Sequence, residues 1–171
     1  MMAGQRGFFD PASLRIGQGY DVHAFAEGRR LVLGGVDIPH TRGLLGHSDA
    51  DVLAHAVADA LLGGVRGGDI GKLFPDTDPA YKDADSLKLL AAVAGFVRER
   101  GFLILDVDSV VAAQAPKLAP YRDAMRGNLA HAMGIDVENV GVKATTTERL
   151  GFEGREEGIS ATAVCLLCRC S

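Results

Sequence analysis

Gly17-Gln18-Gly19-Tyr20-Asp21-Val22-His23, taken together with His47-Ser48-Asp49-Ala50-Asp51-Val52-Leu53-Ala54-His55, decides how the rest of the chain is arranged. Residues 14–25 read as a strand interrupted by glycines. Alternate residues of a strand share a face, so Asp21 and His23 project side by side. Gly17 and Gly19 allow another backbone or a ligand to come close. The second stretch reads as the start of a helix, with Ser48 or Asp49 as N-cap and His55 two turns in. A helix histidine facing a strand Asp-x-His offers three nitrogen or oxygen ligands. Three protein ligands with an open fourth position suit a working zinc ion, whereas structural zinc usually has four. Asp-x-His is equally common as a surface pair or as a histidine oriented by a carboxylate, and spacing alone leaves both readings open.

Working outward, residues 31–39 form a hairpin pattern with Gly34-Gly35 at the turn and Pro39 at the end. Val52, Leu53, Ala56, Val57, Ala60 and Leu61 recur at helical spacing until Gly63-Gly64. Asp51 shares the face of His55, as an outer partner of that histidine or as a solvated carboxylate. Residues 67–79 are a long, turn-rich connection. Ile70, Leu73 and Phe74 argue that it is ordered, and its carboxylates suit a polyhydroxy ligand, although Asp76 and Asp78 equally suit turn caps. Residues 83–100 are an amphipathic helix capped near Asp85-Ser86. Residues 103–113 are a strand, residues 118–133 a third helix ended by Gly134, residues 140–147 a strand running into a polar loop, and residues 159–169 the last strand. This order predicts an α+β fold: a mixed β-sheet covered by helices on one face, in a ferredoxin-like arrangement. Residues 1–13 read as an N-terminal tail and residues 14–171 as one domain.

The chain has 171 residues, 47% of them apolar, and a formal net charge of -4. No overall basic field favours nucleic acid, and a phosphorylated substrate must be neutralised locally by metal ions, amides and a few cationic side chains. No run of apolar residues is long enough for a membrane span, and no cleavable signal pattern is evident. The three cysteines, Cys165, Cys168 and Cys170, do not form a disulfide framework and point to the cytoplasm. Cys165 and Cys168 fall in an apolar, strand-like run with no partner pair elsewhere, which favours packing over redox or metal chemistry.

Lys143-Ala144-Thr145-Thr146-Thr147-Glu148 concentrates hydroxyls, a cation and a carboxylate. Hydroxyls and amides at a strand end hold phosphate oxygens, and Glu148 suits a magnesium ion between two phosphates. A Thr-rich strand is the plainer alternative. Arg155 offers a guanidinium to a diphosphate or sits in a surface turn. No Walker loop, dinucleotide fingerprint, Gly-x-Ser-x-Gly or His-Glu-x-x-His is present. A zinc-dependent phosphohydrolase and a non-catalytic nucleotide or isoprenoid binder remain compatible with these residues.

Asp21-Val22-His23, His47-Ser48-Asp49, His55, Asp69-Ile70-Gly71-Lys72-Leu73-Phe74-Pro75-Asp76-Thr77-Asp78, Ala113-Gln114-Ala115-Pro116-Lys117 and Lys143-Ala144-Thr145-Thr146-Thr147-Glu148 occur in this order in one chain. Over about residues 14–169 the chain thereby resembles the 2-C-methyl-D-erythritol 2,4-cyclodiphosphate synthase family of the non-mevalonate isoprenoid pathway. Gln18 stands where some members have histidine. The resemblance implies a phosphorus-oxygen lyase. The 2-phosphate of 4-diphosphocytidyl-2-C-methyl-D-erythritol 2-phosphate attacks the β-phosphorus, closing a ring and expelling CMP.

The resemblance also implies residue roles. Asp21, His23 and His55 match zinc ligands, one ion per subunit. Glu148 matches the residue holding a second divalent cation, magnesium or manganese, at the diphosphate. His47 and Thr146 match positions that stabilise the transition state. Ser48, Asp69, Ile70, Gly71, Phe74, Asp76 and Asp78 match the methylerythritol phosphate pocket. Ala113, Gln114, Ala115, Pro116, Lys117 and Leu118 match the loop around cytosine, and Thr145 and Thr147 the CMP phosphate segment. Phe152 and Arg155 match residues lining a ligand site further along. Members are homotrimers with active sites between subunits. Some bind an isoprenoid diphosphate in a central cavity, for which Phe152, Arg155 and Glu157 are the candidates here.

Overall fold

A computed structural model describes residues 10–75 and 84–170. A 3-10 turn, Pro11–Ser13, leads into β1 (Leu14–Ala26), followed by β2 (Leu31–Leu33), β3 (Val36–Ile38), β4 (Gly43–Leu44) and α1 (Val52–Gly64). Next come α2 (Ile70–Leu73), α3 (Ser86–Glu99), β5 (Phe102–Ala112), α4 (Arg122–Met133), β6 (Val140–Thr145), α5 (Gly151–Gly154) and β7 (Gly158–Arg169). Among the described residues five strands form a mixed sheet in the order β4-β1-β7-β5-β6, in which β5 and β6 run parallel and the other neighbours antiparallel. The fold is α+β, as expected.

The glycines of β1 fix the relation between sheet and helix. A Cβ on Gly17 would lie 1.9 Å from the Ala60 carbonyl oxygen, and one on Gly19 would lie 2.0 Å from that of Ala56. The backbone of α1 therefore rests directly on β1. Leu53, Leu61 and Leu62 of α1 are fully buried, each stabilising the fold by ~1.5–3 kcal/mol. Asp21 and His23 follow Gly17 and Gly19 on the same face of the strand, so they meet α1 at its N-terminal end. The opposite face leaves Ile16, Tyr20 and Val22 exposed.

Asp51, not Ser48 or Asp49, caps α1. Its carboxylate accepts from the amides of Leu53 and Ala54, and also from Gly34 and Gly35 at 2.9 and 2.7 Å. It is fully buried and ties the β2–β3 turn to the helix, so its carboxylate is neither solvated nor bonded to the His55 ring. Burial outweighs its amide bonds and pushes its pKa up. Gly34 and Gly35 both have positive φ, as a tight hairpin turn of this kind requires. His55 thus sits one turn, not two, from the cap.

Two further expectations need correction. The connection after α1 contains α2, with Asp69 as its N-cap, because Ile70, Leu73 and Phe74 pack against the core. The third helix begins at Arg122 after a separate 3-10 turn, Ala119–Tyr121, which accommodates Pro120. The Gly134 C-cap holds, with φ 64°. Cys165 is buried and donates to the Ala60 carbonyl, and burial pushes its thiol up to about 11. Cys168 lies three residues along the strand and so on the other face, which prevents the two from sharing an ion. No disulfide forms among the described residues.

Candidate metal centre and adjoining clefts

Where β1 meets the start of α1, Asp21 Oδ2 lies 3.0 Å from His23 Nε2 and 3.0 Å from His55 Nδ1. The two histidine nitrogens are 3.3 Å apart. The side chains of Asp21, His23 and His55 are 26%, 19% and 13% exposed, so the group is enclosed yet reachable. No other set of three His, Cys, Asp or Glu side chains converges in this way among the described residues. Glu148 is outside the group.

His23 is oriented by its far nitrogen. Nδ1 donates to the Leu45 carbonyl at 2.7 Å, which leaves the Nε2 lone pair for the cluster. The Nε2 of His55 faces two hydroxyls, Ser86 Oγ at 2.9 Å and Ser48 Oγ at 3.3 Å. Burial works against the carboxylate of Asp21, but its bonds to His23 and His55 prevail and hold its pKa well below the usual range. Burial also opposes charge on His23, yet Asp21 and the Leu45 carbonyl raise its pKa. A cation is therefore favoured at this point, whether a proton or a metal ion. The nitrogen and oxygen donors and the compact spacing suit zinc-like divalent ions.

The cluster forms one wall of a cleft of about 460 Å³, lined also by Gly46, His47, Ser48, Ile70, Gly71, Phe74 and Leu89. Arg29 holds this loop by donating to the carbonyls of Leu44 and Ser48. Ala50 takes a positive φ of 58° just before the helix, strain that the Asp51 cap and the buried surroundings sustain. Asp69 uses its carboxylate to cap α2, accepting from the Lys72 amide at 2.9 Å. Asp76 and Asp78 lie outside the described residues.

A second, smaller cleft of about 200 Å³ gathers Ala113, Gln114, Pro116, Lys117, Leu118, Ala119, Ala144, Thr145 and Thr146. The Ala115–Pro116 peptide within it is cis. Thr146 Oγ1 donates to Glu148 Oε1 at 3.1 Å, and Gln114 Oε1 accepts from the Arg149 amide. Glu148 itself has φ 54°. Thr147 lines neither cleft and donates to the Leu150 carbonyl at 2.6 Å. Phe152 lies in α5, and Arg155 beyond it pairs with Glu157 at 2.8 Å. Most of the described residues singled out in the sequence thus line one of two clefts that share no lining residue or lie in or just beyond α5, whereas Asp69, Thr147 and Glu148 line neither cleft.

Sequence reasoning missed Ser86, Leu45, Arg29, Gly46 and Leu89 at this centre. Asp85-Ser86 was visible as a helix start, but its distance in sequence from His55 gave no sign that the hydroxyl meets the ring. Leu45 acts through its carbonyl, which no side-chain pattern reveals.

Residues 14–168 match the YgbB family. A Bacillus cereus (strain B4264) protein named 2-C-methyl-D-erythritol 2,4-cyclodiphosphate synthase is 60% identical over 153 residues, spanning 90% of this chain and 97% of that protein. Among solved structures, the bifunctional IspDF from Campylobacter jejuni is similar with a TM-score of 0.88 and 48% identity. The match covers 91% of this chain but only 42% of that longer one. The CDP complex of IspF from Plasmodium falciparum is similar with a TM-score of 0.81 and 34% identity, over 93% of this chain and 98% of that one. Identity at this level, carried along nine-tenths of the chain on the same backbone path, settles kinship: the chain belongs to the YgbB family.

Proposed function

We propose that this chain converts 4-diphosphocytidyl-2-C-methyl-D-erythritol 2-phosphate to 2-C-methyl-D-erythritol 2,4-cyclodiphosphate and CMP, as the names of its relatives indicate. An oxygen of the 2-phosphate attacks the β-phosphorus, and the bond to the CMP oxygen breaks. Every atom of the substrate is retained in the two products. The obstacle is the repulsion between two anionic phosphates, which fixed dipoles and cations relieve. The observation that carries this reading is the convergence of Asp21 Oδ2, His23 Nε2 and His55 Nδ1 beside a cleft.

Those three atoms would hold zinc and Glu148 a magnesium or manganese ion, and such ions supply Lewis-acid polarisation and a template for the phosphates. His47, exposed on the cleft wall, donates to a phosphoryl oxygen as charge moves in the transition state. Ser48, Ile70, Gly71 and Phe74 enclose the methylerythritol phosphate, and Asp69, Asp76 and Asp78 are the candidate acceptors for its hydroxyls. Residues 113–118 hold cytosine through backbone groups. Thr145, Thr146 and Thr147 orient the CMP phosphate, and Thr146 steadies Glu148.

The two clefts of one chain make sense as halves of a site completed by a neighbour, and we read the protein as a homotrimer. The sheet face away from α1 supports this: Ile16 is 74% exposed, Leu103 51% and Val164 47%. An uncovered apolar face of this kind calls for a partner. The long strands with helices on one face underlie a ferredoxin-like reading of the layers. We take residues 14–171 as one domain preceded by a tail, acting in the cytoplasm. Among the described residues no helix is long and apolar enough to cross a membrane. Phe152 and the Arg155–Glu157 pair are the candidates for an isoprenoid diphosphate on the trimer axis.

Incubating the protein with the diphosphocytidyl substrate, zinc and magnesium tests the reaction by phosphorus NMR. The expected products are CMP and the cyclic diphosphate. CMP with open-chain phosphates would mean a phosphohydrolase, and binding without turnover a non-catalytic carrier.

A further inference from the structure

We infer that Ser86 and Asp49 form a positioning pair that fixes which ring nitrogen of His55 faces Asp21 and His23, and thereby sets the affinity of that cluster for a divalent cation. The inference rests on the metal reading above and extends it to two residues outside the ligand set.

Ser86 opens α3, but Asp85 is the cap of that helix, so the Ser86 hydroxyl is not needed for capping. Instead Ser86 Oγ donates to Asp49 Oδ1, and the Ser86 amide donates to Asp49 Oδ2 at 3.1 Å. A carboxylate only accepts, and a serine hydroxyl has a single proton. With that proton committed to Asp49, Ser86 Oγ faces His55 Nε2, 2.9 Å away, as an acceptor. The neutral imidazole must therefore carry its one proton on Nε2. Its Nδ1 is left with a lone pair, directed at Asp21 and His23.

The two histidines thus reach the same state by opposite tethers. His23 is held through Nδ1 by a backbone carbonyl, whereas His55 is held through Nε2 by a hydroxyl that a carboxylate has polarised. Ser86 is 1% exposed, so bulk water cannot take its place. Among the described residues the other hydroxyl facing this nitrogen is Ser48 Oγ, which lies farther from the ring at 3.3 Å and shares its lone pairs with the Ala50 amide. Losing the Ser86 hydroxyl frees the proton to move to Nδ1, beside Asp21. A cation must then displace it before it can bind.

The test uses full-length wild type, Ser86→Ala and Asp49→Asn. Zinc affinity is measured by competition with a chromophoric chelator. The histidine tautomers are read from long-range nitrogen–proton correlation spectra of the metal-stripped proteins at about pH 9, where free imidazole is neutral. Wild type should show His55 protonated on Nε2. Ser86→Ala should bind zinc about tenfold more weakly, the lower end of the usual loss for an outer partner of a metal-bound histidine, with the tautomer shifted toward Nδ1. Asp49→Asn is nearly isosteric, but its amide donates to Ser86 and reverses the chain of bonds, so it should lose affinity by a similar factor. It also keeps the test decisive if Ser86→Ala does not fold. Melting temperatures of the stripped proteins separate positioning from general damage: affinity should fall in a variant whose melting is unchanged. An Nδ1-protonated His55 in wild type, or variants that fold and bind zinc as tightly as wild type, would overturn the inference alone. Wild type that takes up no divalent metal would overturn the metal reading and this inference together.

Discussion

The two clefts are built by different means. The first takes its ligand cluster from β1 and α1, with a loop, α2 and α3 completing the wall, and the spacing of the cluster is set by the core: glycines on the strand, small residues on the helix, backbone against backbone. The second is a rim of loop and strand-end residues, 113–119 and 144–146, in which Thr146 and Glu148 find each other locally. The first cleft therefore ties its ligand atoms to the packing of α1 on β1 and is intolerant of changes there. The second presents backbone groups and hydroxyls, which suits a flat base and a phosphate but leaves it less coupled to the core.

Removing a ligand is the strongest way to probe this contrast. Asp21→Ala, His23→Ala and His55→Ala should each weaken zinc binding more than ~100-fold, beyond what outer partners contribute, and abolish cyclisation. CMP binding by the second cleft should survive, as titration calorimetry would register. Stoichiometric zinc in purified His55→Ala would remove that residue from the ligand set.

Substitutions that spare the cluster should separate from these. His47→Ala should keep its zinc and turn over about 100-fold more slowly, the usual loss of one transition-state donor. Glu148→Ala should also keep zinc but need at least about tenfold more magnesium for half-maximal rate, equivalent to ~1.4 kcal/mol. An unchanged magnesium requirement would dissociate Glu148 from the diphosphate.

Packing gives the next effect in size. Gly19→Ala places a Cβ against the Ala56 carbonyl and should cost ~1–3 kcal/mol, or ~2–4 °C of melting temperature for each kcal/mol. Gln114→Ala, on the rim of the second cleft, should stay within ~0.5 kcal/mol of wild type. Equal losses in thermal melts would erase the distinction between the clefts.

The smallest effect is the pH response of metal-stripped protein. His23 has a raised pKa, so its pairing with Asp21 contributes stability that is complete below the ordinary value of 6.5 and fades as pH rises through the raised value. Asp21 has a lowered pKa, so its contribution is complete above 3.8 and fades only as pH falls through the depressed value. Melting temperature should therefore show an added decline on the alkaline side that His23→Ala abolishes. The same proton competes with metal, so zinc affinity should fall as the solution is acidified below the raised value. A flat difference between wild type and His23→Ala would contradict the pairing.

Much of this was legible in the sequence. The Asp-x-His alternation, the Gly34-Gly35 turn and the helix register of residues 52–61 follow from local rules and hold in the structure. Gly17 and Gly19 announced a close approach, although not that the approaching group would be α1. The cap of α1 was misplaced because Ser48, Asp49 and Asp51 are all competent caps; burial against Gly34 and Gly35 selects Asp51, and burial is a tertiary property. Helix α2 was hidden by its four-residue length. Ser86 was unreadable because a hydroxyl at a helix start ordinarily faces its own amides, and only the packing of α3 on α1 turns it toward His55.

The most direct measurement is zinc content together with cyclisation rate, before and after chelator treatment and zinc readdition. The account expects one zinc per chain, loss of cyclodiphosphate formation on stripping, and recovery when zinc is restored. Stripped protein that still forms the cyclic product at full rate would contradict it.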